Sequence, residues 1–153
     1  MTVTIQDVRE KLRDEAKTAT GLTNGYAYRP RSYAGLRLPL LVVLSGPATY
    51  DRIQFGSESF TERRTLTIRV YAAEATQGSE GFAEAEMNLD TYLYNLQTRF
   101  GEYPRLTMGD GTAVDVEMAG DGGAVTVTEQ GTPYVAADFR VTVETTRIIN
   151  HKT

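Results

Sequence analysis

Thr65-Leu66-Thr67-Ile68-Arg69-Val70-Tyr71 alternates without a break, placing Leu66, Ile68 and Val70 on one face of an extended strand. Shortly after it, beyond Gly78-Ser79, the residues Phe82, Ala85, Leu89, Leu93, Leu96 and Phe100 recur at helical spacing. A half-apolar strand followed by a long one-sided helix predicts a sheet with a helix lying on it.

The reading extends outward from there. Thr4 and Asp7 have the spacing of a capping box, with Asp in the usual Glu/Gln place. Ile5, Val8, Leu12, Ala16 and Ala19 follow at helical spacing, so a first helix is predicted from Thr4 to Thr20, closed by Gly21. Tyr26–Arg29 reads as a short strand and the stretch on to Leu38, broken by Pro30, as an irregular loop. Leu40–Leu44 reads as a buried strand ended by Ser45-Gly46-Pro47, and Asp51–Ser59 as a polar hairpin arm before the Thr61–Tyr71 strand. The second helix is predicted from Ser79 to Arg99, about 30 Å long. Its early acids Glu80, Glu84 and Glu86 and its late Arg99 suit the helix dipole.

Downstream the chain is β. Ala113–Met118 and Ala124–Glu129 alternate around Gly120-Asp121-Gly122-Gly123, which is predicted to be a hairpin turn. Gln130-Gly131-Thr132-Pro133 turns again, and Tyr134–Ile149 is the longest strand. Alternation throughout implies one buried and one wet face, the antiparallel habit. The predicted fold is α+β, a two-layer, mostly antiparallel β-sheet with two amphipathic helices packed on one face, in a single domain spanning residues 1–153.

Bulk properties bound the function. The 153 residues are 41% hydrophobic and 24% charged, with no cysteine, no tryptophan and a single histidine, His151. No stretch approaches the roughly 18 consecutive apolar residues of a membrane span. Residues 1–70 hold 11 Lys/Arg against 7 Asp/Glu, and residues 71–153 hold 5 against 13, so a net charge of -4 conceals unlike halves. Such a division suits a molecule with unlike faces that packs head to tail. A sequence pI near 5.1 argues against a nucleic-acid-binding domain.

Residues for bond chemistry are scarce. A histidine-based nucleophile is excluded from the body of the chain, because His151 stands alone near its end. Asp110 with Asp115, or Asp121 with Glu129, lack the oxygen-ligand spacing of a known calcium loop, and their glycines are what tight turns require. Glu84 and Glu86 point different ways on a helix, while Asp115 and Glu117 share the wet face of a strand. No phosphate-binding glycine loop occurs. No metal, cofactor or catalytic residue is predicted, and the residues favour packing and recognition over catalysis. Tyr26–Arg37 interleaves tyrosines with arginines. It reads either as an interface, for protein rather than nucleic acid, or as a loop whose tyrosines fold back on the sheet.

The order of elements resembles the tail terminator proteins of long-tailed bacteriophages and related tail-completion or minor tail proteins. The local likeness lies in Arg63–Tyr71, in the helix Glu80–Phe100, and in Tyr134-Val135-Ala136-Ala137-Asp138-Phe139-Arg140-Val141-Thr142-Val143-Glu144. It covers most of the chain from Leu40 onward as a likeness of layout; a long acidic hairpin at Gly120–Gly123 is no requirement of the family.

The resemblance implies a homo-oligomeric ring, a hexamer, at the head-proximal end of the tail tube in the virion, made in the host cytoplasm and using no membrane. It would stop tube polymerisation, contact the tail tube protein and a head-completion or stopper protein, and let DNA pass through its lumen without specific binding. On that reading Arg29, Arg31, Tyr33, Arg52, Phe55, Arg63 and Arg64 are expected at inter-subunit or partner contacts, and Asp115, Glu117 and Asp121 at the lumen or a seam. The alternatives are a head-tail connector or stopper, or a non-virion small-ligand-binding α+β domain.

Overall fold

The computed structural model describes residues 3–52, 59–75 and 78–148. Its elements in chain order are α1 (Ile5–Ala16), β1 (Gly25–Tyr26), β2 (Leu40–Arg52), β3 (Ser59–Glu74), α2 (Gly78–Glu102), β4 (Arg105–Thr107), β5 (Ala113–Glu129) and β6 (Thr132–Ile148). The strands form one six-stranded sheet in the order β1-β2-β3-β6-β5-β4. Every neighbouring pair is antiparallel except β1 on β2. The α+β class, with a mostly antiparallel sheet and two helices, is as expected.

Local chemistry explains the helices. Thr4 Oγ1 accepts from Asp7 N at 3.2 Å while Asp7 Oδ2 accepts from Thr4 N at 2.9 Å, closing the capping box that starts α1. The helix stops at Ala16, short of Thr20, because the Thr18 and Ala19 N–H groups turn to the carbonyls of Glu15 and Ala16. Val8, Leu12 and Ala16 of α1 and Ala85, Leu89, Leu93, Leu96 and Phe100 of α2 bury themselves against Leu66, Ile68, Val70, Phe139, Val141 and Val143. Each fully buried side chain of this kind contributes about 1.5–3 kcal/mol relative to exposure. The Phe100 and Phe139 rings stack at 6.0 Å, and Arg99 Nη2 donates to Glu15 Oε2 at 2.7 Å, tying α2 to α1.

Three expectations are corrected. Gly46-Pro47 does not end β2; the strand continues to Arg52, with a register shift between Ser45 and Ala48 absorbing the irregularity. Gly120–Gly123 is not a hairpin turn but lies inside the continuous strand β5, which shifts register against β6 between Met118 and Gly120 and again between Asp121 and Ala124. Each shift adds one residue to β5, so together they restore the alternation. The hairpin turn is Gln130-Gly131, with φ of 52° and 83°. The short strand near Tyr26 is only Gly25–Tyr26 and runs parallel to Leu41-Val42.

The opposite face of the sheet is not uniformly wet. At one end Tyr33 from the 27–39 loop packs on Leu40, Val42, Tyr71, Tyr134 and Ala136, with Leu36, Leu38, Leu44 and Val127 at the margin. This second, smaller core explains why Leu40–Leu44 is apolar at every position: odd residues face the helices and even ones face the tyrosines. It also explains why the apolar residues of β5 change sides, Val114 and Val116 lying on the helix face and Val127 on the tyrosine core.

Candidate interaction face

The face away from the helices has a tyrosine end and a charged end. Strand register sets the charged end: Thr49, Arg63, Glu144, Asp115 and Arg105 stand opposite one another in a row across β2, β3, β6, β5 and β4. Arg105 Nε donates to Asp115 Oδ1 at 2.8 Å. Arg63 reaches Glu117 at 3.5 Å and Glu144 at 3.6 Å. These side chains are half exposed or more. Two concavities open here, one of about 380 Å³ between Pro104, Arg105 and Glu117, the other of about 320 Å³ beside Pro47 and Asp51, and both are lined by Arg63 and Thr142.

Three same-face rows further along, Arg69 grips Asp138 with both arms, Nε to Oδ1 at 2.7 Å and Nη2 to Oδ2 at 3.0 Å. Beyond it the three tyrosine rings meet edge-on or tilted, Tyr33–Tyr71 at 5.4 Å, Tyr71–Tyr134 at 5.6 Å and Tyr33–Tyr134 at 6.2 Å. The Tyr71 hydroxyl donates to Glu129 Oε1, and the buried Tyr33 hydroxyl makes no hydrogen bond among the described residues. Burial, then the adjoining Tyr33 hydroxyl and the Glu129 carboxylate, hold the Tyr71 hydroxyl well above the usual phenol pKa. Gln130 at the β5–β6 turn fastens the loop, its Oε1 accepting from Tyr33 N at 3.1 Å and its Nε2 donating to Arg31 O at 2.6 Å.

Several expected contact residues are thereby relocated. Tyr33 is core and is withdrawn from the surface set, so the fold-back reading of the Tyr26–Arg37 loop applies to it. Arg29 is exposed and stands 3.6 Å from Glu129; Arg31 is exposed. Arg64 is turned inward, Nε to Glu62 Oε1 at 2.7 Å and Nη1 to Gly46 O at 3.0 Å, with Nη2 3.3 Å from the Tyr50 hydroxyl. Arg52 ends β2 opposite Phe60, and Phe55 lies outside the described residues, as does most of the predicted Asp51–Ser59 arm. Asp115 and Glu117 share the open face but each is matched by an arginine, while Asp121 is exposed and accepts from Gly123 N at 3.1 Å within the bulge.

The two unlike halves of the sequence do not form unlike poles. Pairing β3 with β6 sets Arg63 and Arg69 of the first half against Glu144 and Asp138 of the second, and Glu15 likewise meets Arg99. The residues that organise this face and that sequence reasoning did not single out as contacts are Glu129, Gln130 and Asp138, while Glu62 holds Arg64 on the helix side of the sheet. For Glu129 and Asp138 the sole sequence signal is a polar residue at an alternating strand position, which becomes a pair only once register is known; Gln130 stands in the turn. No family model matches the chain, and a search of curated proteins finds no match either.

Proposed function

We propose that this chain is a structural protein of a phage tail, a terminator that assembles as a ring on the head-proximal end of the tail tube, halts its polymerisation and joins tail to head. The observation that carries the reading is the charged end of the open sheet face. It is a broad, half-exposed row of both signs, from Arg63 to Arg105, flanked by shallow concavities and spread over four strands. Such a surface suits a protein partner with complementary charge, since rim charges set encounter rate and register more than raw affinity. The resemblance of the element order to that of tail terminators supports the same reading. A ring requires each copy to present two different patches.

The test is the mass of the purified protein across concentration, followed by negative-stain images and addition of tail tube protein. Rings, or a monomer that caps growing tubes, would support the reading. A monomer that leaves tube polymerisation unchanged would overturn it, and binding to filled heads rather than tubes would transfer it to a connector or stopper.

A further inference from the structure

The sheet has two long outer strands, and they are treated differently. On β2 the outward carbonyl of Val43 accepts from Arg9 Nη2 at 2.8 Å, and Gly46 O accepts from Arg64 at 3.0 Å. Pro47 has no N–H to offer, and the register shift at Ser45/Ala48 bends the edge. That edge is blunted. On β5, β4 covers only Ala113–Asp115, and Val116 N donates to Pro104 O. Past the bulges nothing comparable among the described residues protects Ala124-Val125-Thr126-Val127-Thr128.

Register identifies the groups left over. The two-residue turn makes Glu129 and Thr132 a hydrogen-bonded pair, and pairs alternate from there. The main-chain N–H and C=O groups of Ala124, Thr126 and Thr128 therefore point away from β6. Among the described residues no backbone group pairs with them. The stretch carries no charge, and Val125 is 44% exposed. An exposed, uncharged, β-branched edge is a template for an added strand.

We propose that this edge pairs with the same edge of a second copy, antiparallel about Thr126, extending the sheet across both. The occupant follows from the sequence of the edge itself. It reads nearly alike in both directions, since Val125 and Val127 flank Thr126 and Ala124 falls opposite Thr128. The outward groups of one copy then meet the outward groups of the other. No like charge is set opposite itself, because Glu129, the nearest acid, is buried against Tyr71. The paired valines cover each other on the open face.

The inference stands apart from the ring reading. A two-fold strand pair joins copies head to head, whereas a ring closes through head-to-tail contacts.

The chain has no cysteine, so Thr126→Cys places one thiol on each copy. In the paired state the two Cα atoms at this position lie about 5.5 Å apart, within disulfide range. Mild oxidation is expected to give a covalent dimer on the order of tenfold or more faster than Gln97→Cys on the outer face of α2, the gain from pre-paired geometry. In parallel, Thr126→Pro removes an outward N–H and spares the β6 ladder. It is expected to keep native circular dichroism and weaken association in sedimentation equilibrium about tenfold, through two symmetry-related hydrogen bonds. Equal oxidation rates, or unchanged association of Thr126→Pro, would overturn the proposal. Loss of native structure in Thr126→Pro would also overturn it, since the N–H would then serve the ladder. Six-fold rings of Thr126→Cys that resist oxidation would keep the ring reading and remove this one.

Discussion

The Tyr71 hydroxyl donates a 2.8 Å hydrogen bond to Oε1 of Glu129 across a sequence separation of 58 residues, and both residues are buried. Arg69 and Arg29 stand 3.8 and 3.6 Å from the same carboxylate. Deleting one member leaves a buried group short of its partner, which costs more than the bond gained in folding. Tyr71→Phe is expected to lower stability by about 1–2 kcal/mol, and Glu129→Gln, which keeps an acceptor but withdraws the charge, by about as much. Urea denaturation measures both; unmoved midpoints would mean the tyrosine end is held by packing alone.

Alkaline pH tests the same site through linkage. The Tyr71 pKa is raised in the folded state, first by burial. Its contribution is fully present below the unfolded tyrosine pKa near 10 and is lost as pH rises toward the folded value. Stability should therefore fall above about pH 10, by no more than roughly 1.4 kcal/mol per pH unit from this residue. Tyr71→Phe should show a shallower fall in urea midpoints between about pH 9 and 11; parallel slopes for the two proteins would contradict the assignment.

Arg63 and Arg64 are neighbours with opposite roles. Arg63 is half exposed between Glu117 and Glu144, so Arg63→Glu should change stability by less than about 1 kcal/mol while altering any contact made by the open face. Arg64 is the 2.7 Å partner of the buried Glu62, and Arg64→Glu would set two carboxylates together at a cost of about 2–4 kcal/mol. Thermal melts should separate the two variants, and only Arg63→Glu is a clean probe of the proposed ring assembly by light scattering.

Gly46 is required by its surroundings. A Cβ there would stand 2.7 Å from the Thr65 carbonyl oxygen, a backbone atom of the β2–β3 pair that cannot swing aside. Gly46→Ala should cost about 1–3 kcal/mol, whereas Gly109→Ala, with open space around it, should stay within about 0.5 kcal/mol. Comparable melting temperatures for the two variants would sink the steric argument.

The parts legible in the sequence were those with an unbroken period or a reciprocal local contact. The alternation Leu66, Ile68, Val70 and the stripe Ala85, Leu89, Leu93, Leu96, Phe100 face the main core as their spacing required, and Thr4 with Asp7 forms its capping box. Gly120-Asp121-Gly122-Gly123 misled because turn chemistry and bulge chemistry use the same residues. What distinguishes them is that β6 stays paired with β5 on both sides, a long-range fact. Tyr33 was ambiguous for a like reason: its loop has no period, and its anchor, Gln130, lies 97 residues away. The charged row was unreadable as a row, since its members come from separate strands and are brought into line only by register.

The pairing of β3 with β6 has a consequence for synthesis. β6 is made after every other strand, yet it flanks β3 along its whole length, from Ser59 opposite Ile148 to Glu74 opposite Tyr134. While the nascent chain is growing, β3 is an outer strand, Arg63 lacks Glu144 and Arg69 lacks Asp138. Helix α1 can wind early, since its capping contacts are local. The sheet itself can close only once residues 132–148 have cleared the ribosome. A topology this rich in distant pairings folds on the slow, millisecond-to-second side, so a translational pause before β6 would prolong exposure of an arginine-bearing, unpaired β3.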